Sequence, residues 1–420
     1  MDIRPEHKTA AVTICATNYL GKALALRQSY LEYHPESDFY VLIVDNKHDK
    51  VQNLAPDIRI LWVEDLGIND FFHYAMKFDV IELSTNVKAT ILSVLLCKYD
   101  IALYLDPDIY FYESLQYVFA DLVSHSVVVT PHALTPVMDG KSPSDLDFLR
   151  FGAFNLGFVG VSKCEEGFKF LDWWSKRCLE FGFYEPQRGL AVDQKWMDLC
   201  SSFFPDMKVL RDPGLNVAFW NLHERSISKC GVSWLVNGKY PLRFFHFSSF
   251  NTTSPHAIAE KQSRFAADSR PDLHELLDSY AARLRANESD SYSGCPYSFD
   301  YFEDGTYVTP SLRRFYAALE SHFPVSENPF SRGSSLQRFA LARGLVGKKY
   351  QISKRETFKE IGSHSTAAGV IAIGLRFVLR LIGPNRYFSL MRYLAYVSSI
   401  RTQANLFPLN SARGASEGRN

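Results

Sequence analysis

The sequence predicts an α/β fold, with a mostly parallel sheet flanked by helices and then a helical, basic and amphipathic C-terminal region. Three observations predict it. Short apolar runs recur at 10–16, 39–44, 58–63, 101–105, 127–130 and 154–161. Most are uniformly apolar rather than alternating, as strands buried on both faces should be. Stretches with helical spacing separate several of them, at 20–33, 79–98 and 165–181. The charge is uneven: it sums to zero overall, yet residues 331–420 carry 15 Lys and Arg against 3 Asp and Glu. That pattern sets a basic tail on an acidic body.

Each element has its own reason. Ala10 to Ala16 reads as a first buried strand, with Thr17, Asn18 and Tyr19 as the loop into a helix that His34-Pro35 stops. Phe39 to Val44 is a second strand ending at Asp45-Asn46, and Ile58 to Val63 a third. Residues 79–98 read as one helix with Lys88 at its middle, leading into strand Ile101 to Leu105. Val127 to Thr130 and Phe154 to Val161 are further strands, the second with Gly157 and Gly160 permitting close backbone approach. Trp173 and Trp174 are core positions of the helix at 165–181. Leu242 to Ser249 closes what the pattern marks as a catalytic unit, 1–255. A helical and hairpin extension, 256–330, follows, with Asp304-Gly305 as the hairpin turn. Ser331 to Ser335 reads as a linker into the region 331–420.

Composition narrows the function. The apolar and charged fractions, 46% and 22%, are those of a folded protein. The seven cysteines form no CxxC pair, so neither a zinc knuckle nor a disulfide framework is expected, and a reducing cytoplasm is. No secretory leader is apparent near Met1. No GxGxxG follows the first strand, which removes the dinucleotide fingerprint. No RNA- or DNA-binding motif appears, so nucleic acid is not an expected partner.

The chemistry centres on Asp106-Pro107-Asp108, directly after the strand Ile101 to Leu105. In open α/β sheets ligands bind outside the carboxyl ends of the strands. Two carboxylates there suit a hard divalent cation, Mn²⁺ or Mg²⁺, holding a substrate diphosphate. A solvated Asp-Pro-Asp turn is the plainer reading of those residues alone.

In order along the chain, Ala16-Thr17-Asn18-Tyr19, Lys88, Leu105-Asp106-Pro107-Asp108, Phe154-Asn155-Leu156-Gly157, Asp193-Gln194 and His246 together resemble the GT-A nucleotide-sugar glycosyltransferases. The resemblance is to the retaining family of bacterial lipooligosaccharide galactosyltransferases and glycogenin, and it covers about residues 10–250. It implies that Asp106, Asp108 and His246 hold Mn²⁺ or Mg²⁺ against the diphosphate of a UDP-sugar. It implies that Thr17, Asn18, Tyr19 and Asp45 line the nucleoside pocket and that Lys88 reaches the diphosphate or the donor sugar. Asn155, Asp193 and Gln194 would flank the anomeric carbon, with retention as the outcome. An inverting enzyme needs a carboxylate base on the acceptor hydroxyl, a role open to Asp193, so stereochemistry stays unsettled at this level. The chain departs from the family after His246, where Ser248-Ser249-Phe250-Asn251 stands in place of the family's glycine and later Lys-Pro-Trp. Trp220 to Arg225 is a polar-aromatic run suited to a sugar ring.

The tail from Ile361 to Ser416 holds no acid, and its cations are Arg376, Arg380, Arg386, Arg392, Arg401 and Arg413. With the basic stretch 338–359 it predicts peripheral binding to an anionic membrane surface from the cytoplasmic side, not a span. The expected activity is hexose transfer to a glycan or lipid-linked acceptor of a bacterial surface polysaccharide. A catalytically silent glycan-binding or scaffold protein is the rival from another class.

Overall fold

The computed structural model describes residues 7–47, 49–52, 54–259, 261–287, 289–351 and 365–406. The expected strands form, together with two that were not foreseen, β5 and β8; in chain order they are β1 Thr9–Cys15, β2 Asp38–Ile43, β3 Arg59–Trp62, β4 Ile101–Leu105, β5 Ile109–Phe111, β6 Val127–Pro131, β7 Phe154–Ser162, β8 Met207–Val209 and β9 Phe244–His246. Seven of them make one sheet in the order β8-β6-β7-β4-β1-β2-β3. Its pairs are parallel except at β7, which runs antiparallel to both β4 and β6. The mostly parallel α/β sheet expected from the sequence is therefore present.

β4 is buried at every position, and the side chains of Ala11, Leu103, Leu105, Val128 and Phe158 join one apolar cluster with α1, Leu20–Tyr33. α1 enters it through Leu20, Ala23, Leu26 and Tyr30, all fully buried. A second cluster gathers Val217, Trp220, Phe245 and Phe247 with Leu276, Leu277 and Tyr280 of a later helix.

Topology decides where chemistry can gather. β1, β2, β4 and β6 point the same way, so the loops after Cys15, Ile43, Leu105 and Pro131 share one sheet edge. Because β7 is antiparallel, its first residues, Asn155 to Gly157, arrive at that same edge. β5 pairs with β9 with His246 opposite Ile109, which brings His246 beside Asp108.

Several expectations need correction. The helix foreseen over 79–98 is two, α2 Val80–Asn86 and α3 Lys88–Leu96, broken at Val87 with φ −90 and ψ 0. Lys88 thus starts a helix instead of sitting mid-helix. Of the helical stretch foreseen over 256–290, the main helix is α5, His274–Ala286, after α4, Glu165–Phe181. The hairpin foreseen around Asp304-Gly305 is reduced to a Tyr301–Tyr307 bridge. Its second limb, β10 Thr306–Val308, pairs instead with β11, Val346–Lys349. The linker at 331–335 is not a linker: Ser334 is buried and caps α7, Ser335–Ala342, accepting from Gln337 N. Of the two core tryptophans, Trp174 is fully buried and Trp173 partly so.

Contacts divide the chain into two units, 1–71 with 80–298, and 72–79 with 299–420, so the expected boundaries at 255 and 330 each fall inside a unit. The second unit is centred on α6, Pro310–Leu319, whose Arg313 is buried and donates to the carbonyls of Ala75, Phe78 and Phe299 and to Asp300. It also holds α8, Ser365–Ile382, and α9, Pro384–Val397. The basic stretch beyond residue 351 up to 359, and Arg413, lie outside the described residues.

Candidate active site

The edge defined by the strand ends collects most of the foreseen residues. Asp106 N donates to Gly157 O at 2.8 Å, and Ile109 N to Asp106 O at 3.1 Å, closing the turn that carries both carboxylates. His246 Nε2 lies 3.0 Å from Asp108 Oδ1 and 3.5 Å from Asp106 Oδ2. One ligand atom from each of the three lies within 4.8 Å of the others. Burial alone would raise the Asp108 carboxyl, but the neighbouring His246 holds it down at about 2. Burial would likewise lower His246, and the Asp108 charge raises it instead.

His246 is oriented from behind. Its Nδ1 faces Asn216 Oδ1 at 3.1 Å, while Asn216 Nδ2 donates to Thr130 Oγ1 at 2.8 Å and Asn155 Oδ1 at 3.0 Å. An N–H held at Nδ1 leaves the Nε2 lone pair facing the carboxylates, which is how metal-binding histidines are normally fixed. Asn216 is fully buried at φ +50, a conformation Asn tolerates better than most residues. Sequence reasoning missed it; the Asp212-Pro213-Gly214 turn just ahead was the available signal. It also missed Tyr104, whose hydroxyl donates to Asp106 Oδ1 at 2.5 Å, and His132, which lies 3.4 Å from Asn155 Nδ2.

Gly157 leaves the space these groups occupy. A Cβ there would lie 2.4 Å from His246 Cε1, 2.7 Å from Asp106 Oδ2 and 2.8 Å from Asn155 Oδ1. Gly157→Ala should therefore displace two of the three candidate ligands. The expected result is a stability lower by about 1–3 kcal/mol, the cost of overpacking, seen as a lower melting temperature that does not rise on adding Mn²⁺ with a nucleotide sugar. A variant that melts like the parent and rises equally with Mn²⁺ and nucleotide sugar would show that the pocket has room for the extra methyl.

Lys88 is buried, with Nζ donating to Leu156 O at 2.8 Å and lying 3.0 Å from Asp193 Oδ2 and 3.7 Å from Asp106 Oδ1. Burial raises Asp193 to about 6 although Lys88 pulls it down. The same pair raises Lys88 against the burial that would lower it. The Asp193 backbone is anchored by Trp174 Nε1, which donates to its carbonyl at 3.1 Å. The Gln194 amide is occupied by backbone: Oε1 accepts from Leu156 N at 3.2 Å, and Nε2 donates to Phe151 O at 3.0 Å.

Of the expected nucleoside loop, Thr17 is buried and Tyr19 is 43% exposed, with Lys22 Nζ 4.3 Å over its ring. Asp45 is buried and accepts from Thr17 N at 3.3 Å, Asn46 N at 3.1 Å and Ser298 N at 2.9 Å, so its oxygens order the loop. In the run Trp220 to Arg225, Asn221 is wholly committed to Ala218 N and the carbonyls of His132 and Asn216. The Trp220 ring stands edge-on to His246 at 5.0 Å. Trp220 Nε1 is buried without a hydrogen-bond partner among the described residues, while His223 Nε2 lies 3.9 Å from Glu224 Oε2.

Similarities to known proteins can be set beside this geometry. The chain is similar to glycosyltransferases of known structure. The galactosyltransferase LgtC with donor and acceptor sugar analogues superposes with TM-score 0.39 at 14% identity, over 68% of this chain and 97% of LgtC. The bifunctional glycosyltransferase WbbM gives 0.38 at 13%, over 67% and 52%. GlyE of Streptococcus pneumoniae gives 0.37 at 14%, over 70% and 67%. In sequence, the chain is 27% identical to the uncharacterised Bacillus subtilis protein YfnF, over 64% of this chain and 90% of YfnF. It is 25% identical to the uncharacterised YfnD of the same organism, over 57% and 76%. No family model matches. The chemistry therefore rests on the side chains at the strand ends and not on these distant likenesses.

Proposed function

We propose that this chain is a metal-dependent glycosyltransferase. It takes a hexose from a nucleotide sugar, UDP-linked by the resemblance above, and passes it with retention to a glycan or lipid-linked acceptor in surface polysaccharide synthesis. The observation that carries this reading is the convergence of Asp106, Asp108 and His246, one ligand atom each within 4.8 Å, beside the buried Lys88–Asp193 pair.

The donor set fits the metal. Two carboxylates with one imidazole suit Mn²⁺ better than Mg²⁺, and the absence of a side chain at Gly157 leaves room for two of the three, Asp106 and His246. Bound there, the ion supplies Lewis acidity toward the departing diphosphate. The chain's own groups do the rest. Asn216 and Asn155 hold His246 in one tautomer and orientation. Lys88, pinned between Leu156 O and Asp193, sets a fixed positive charge beside Asp106. Lys22 adds a positive charge that helps hold the Asp108 carboxyl down. Trp220 offers an unsatisfied indole N–H to a sugar hydroxyl. A buried polar group without a partner is costly unless a ligand supplies one.

Asp193 is 1% exposed and paired with Lys88, which speaks against a free base on an acceptor hydroxyl, and retention follows from the resemblance. The linkage made from an α-linked donor should therefore be α by the proton coupling at the anomeric carbon; a β linkage would contradict retention. A silent scaffold is separated by Mn²⁺-dependent hydrolysis of nucleotide sugars, which it would lack.

The tail supports attachment to an anionic leaflet. Ile371, Ile373, Phe377 and Leu381 of α8, and Phe388 and Tyr393 of α9, are exposed on helices that also carry Arg376, Arg380, Arg386 and Arg392. Among the described residues no helix is long and apolar enough to cross a membrane. Changing those four arginines to glutamine should weaken binding to anionic vesicles about 10³-fold at low salt, at about 1 kcal/mol per charge. Unchanged co-sedimentation would remove the membrane from the account.

A further inference from the structure

A second group of ligating side chains lies apart from the residues assigned to sugar transfer. His256 follows β9, Asp268 lies in the turn ahead of α5, and His274 is the first residue of α5. The two imidazoles stack with centroids 3.9 Å apart and planes 1° apart. His256 Nδ1 lies 3.1 Å from Asp268 Oδ1, and His274 Nε2 lies 3.7 Å from the same oxygen. One ligand atom from each of the three lies within 4.8 Å of the others. His274 Nε2 is shielded from solvent and makes no hydrogen bond among the described residues. Asp268 takes φ +59, and its N–H donates to His256 O at 3.4 Å, so the backbone itself holds its carboxylate beside the rings.

We propose that His256, Asp268 and His274 form a binding site for a late first-row divalent cation of the Zn²⁺ type, separate from the strand-end carboxylates. Metal–ligand bonds of about 2.0–2.1 Å in a tetrahedron place neighbouring ligand atoms roughly 3.4 Å apart. The contacts at 3.1 and 3.7 Å lie on either side of that edge length. Two imidazoles with one carboxylate favour Zn²⁺ and its neighbours over Mg²⁺ or Ca²⁺. The outer partner is also present: His256 Nε2 lies 3.1 Å from Asp278 Oδ1. A proton held on Nε2 by Asp278 leaves the Nδ1 lone pair for the ion, the usual carboxylate–histidine–metal arrangement. Coordination tilts the rings out of their parallel stack and leaves a fourth position to water. The ion would tie the segment 256–273 to α5. That segment carries Arg264, whose guanidinium holds Asp139 at 2.8 Å and the Pro143 carbonyl at 2.7 Å.

The test is metal titration of the full chain and three variants: Asp106→Asn, His274→Ala and Asp268→Asn. Calorimetry with Zn²⁺ should give two equivalents for the parent and one for each variant. With Co²⁺ as probe, the visible band of imidazole-ligated tetrahedral metal should persist in Asp106→Asn and vanish in His274→Ala. Nucleotide-sugar binding with Mn²⁺ should be unchanged in His274→Ala, so failure of this site is distinguishable from failure of the strand-end site. Asp268→Asn, at a largely exposed side chain, guards against misfolding of the histidine variant. Equal Zn²⁺ uptake by the parent and both cluster variants overturns the proposal. So does a single equivalent that disappears in Asp106→Asn, which would leave His256 an imidazolium held between two carboxylates.

Discussion

Asp108→Asn is expected to lower metal-dependent sugar transfer by about 10³-fold, on the scale of losing one well-placed electrostatic group at a reacting centre. The substitution keeps the shape and removes the charge. In the parent, Asp108 lies 3.0 Å from His246 Nε2, and His246 holds its carboxyl down at about 2, so it is ionised at any working pH. An amide there leaves His246 without the nearer of the two anions that raise it and leaves the cation with one carboxylate fewer. Turnover should fall more than nucleotide-sugar KM rises, because charge on the departing diphosphate grows as the bond breaks. Steady-state kinetics over a Mn²⁺ range checks this. A loss below tenfold would mean that the carboxylate is only a turn residue.

Lys88→Met should cost about 3–5 kcal/mol of stability, the scale for removing one partner of a buried ion pair. Asp193, 1% exposed, would be left without its cation. The pH dependence carries the signature. Burial raises the folded-state Asp193 carboxyl to about 6, above its unfolded value, so folding favours its protonated form. In the variant, with Lys88 gone, that carboxyl rises further. The stability deficit should therefore be full above the variant's further-raised value and shrink as pH falls from there to the parent's value of about 6. Chemical denaturation of both chains at a pH on each side of that value measures it. A deficit independent of pH would indicate lost packing and not a stranded charge.

Much of this was legible in the residues. The strands announced themselves through uniform apolarity, and β4 is indeed buried along its whole length. The Asp106–Asp108 turn could be placed because it directly follows such a strand. What lay hidden depends on contacts distant in sequence. The direction of β7 is set by pairing with β4 and β6 and leaves no local trace. The break at Val87 interrupts a run that is helical in pattern on both sides. Asn216 could not be found by spacing, because its value lies in bridging Thr130, Asn155 and His246 across three strand ends. Gln194 and Asp45 were legible as polar residues near the site, but their commitment to backbone amides and carbonyls appears only in three dimensions.

The most direct test is the thermal stability of the parent and Asp106→Asn with UDP-sugars, each with and without Mn²⁺. A ligand at a hundred times its Kd stabilises the native state by about 2.7 kcal/mol. The melting temperature of the parent should rise only when nucleotide sugar and Mn²⁺ are present together, and that of Asp106→Asn should not rise. An equal rise without Mn²⁺, or an undiminished rise in Asp106→Asn, would contradict a metal-held diphosphate at these strand ends.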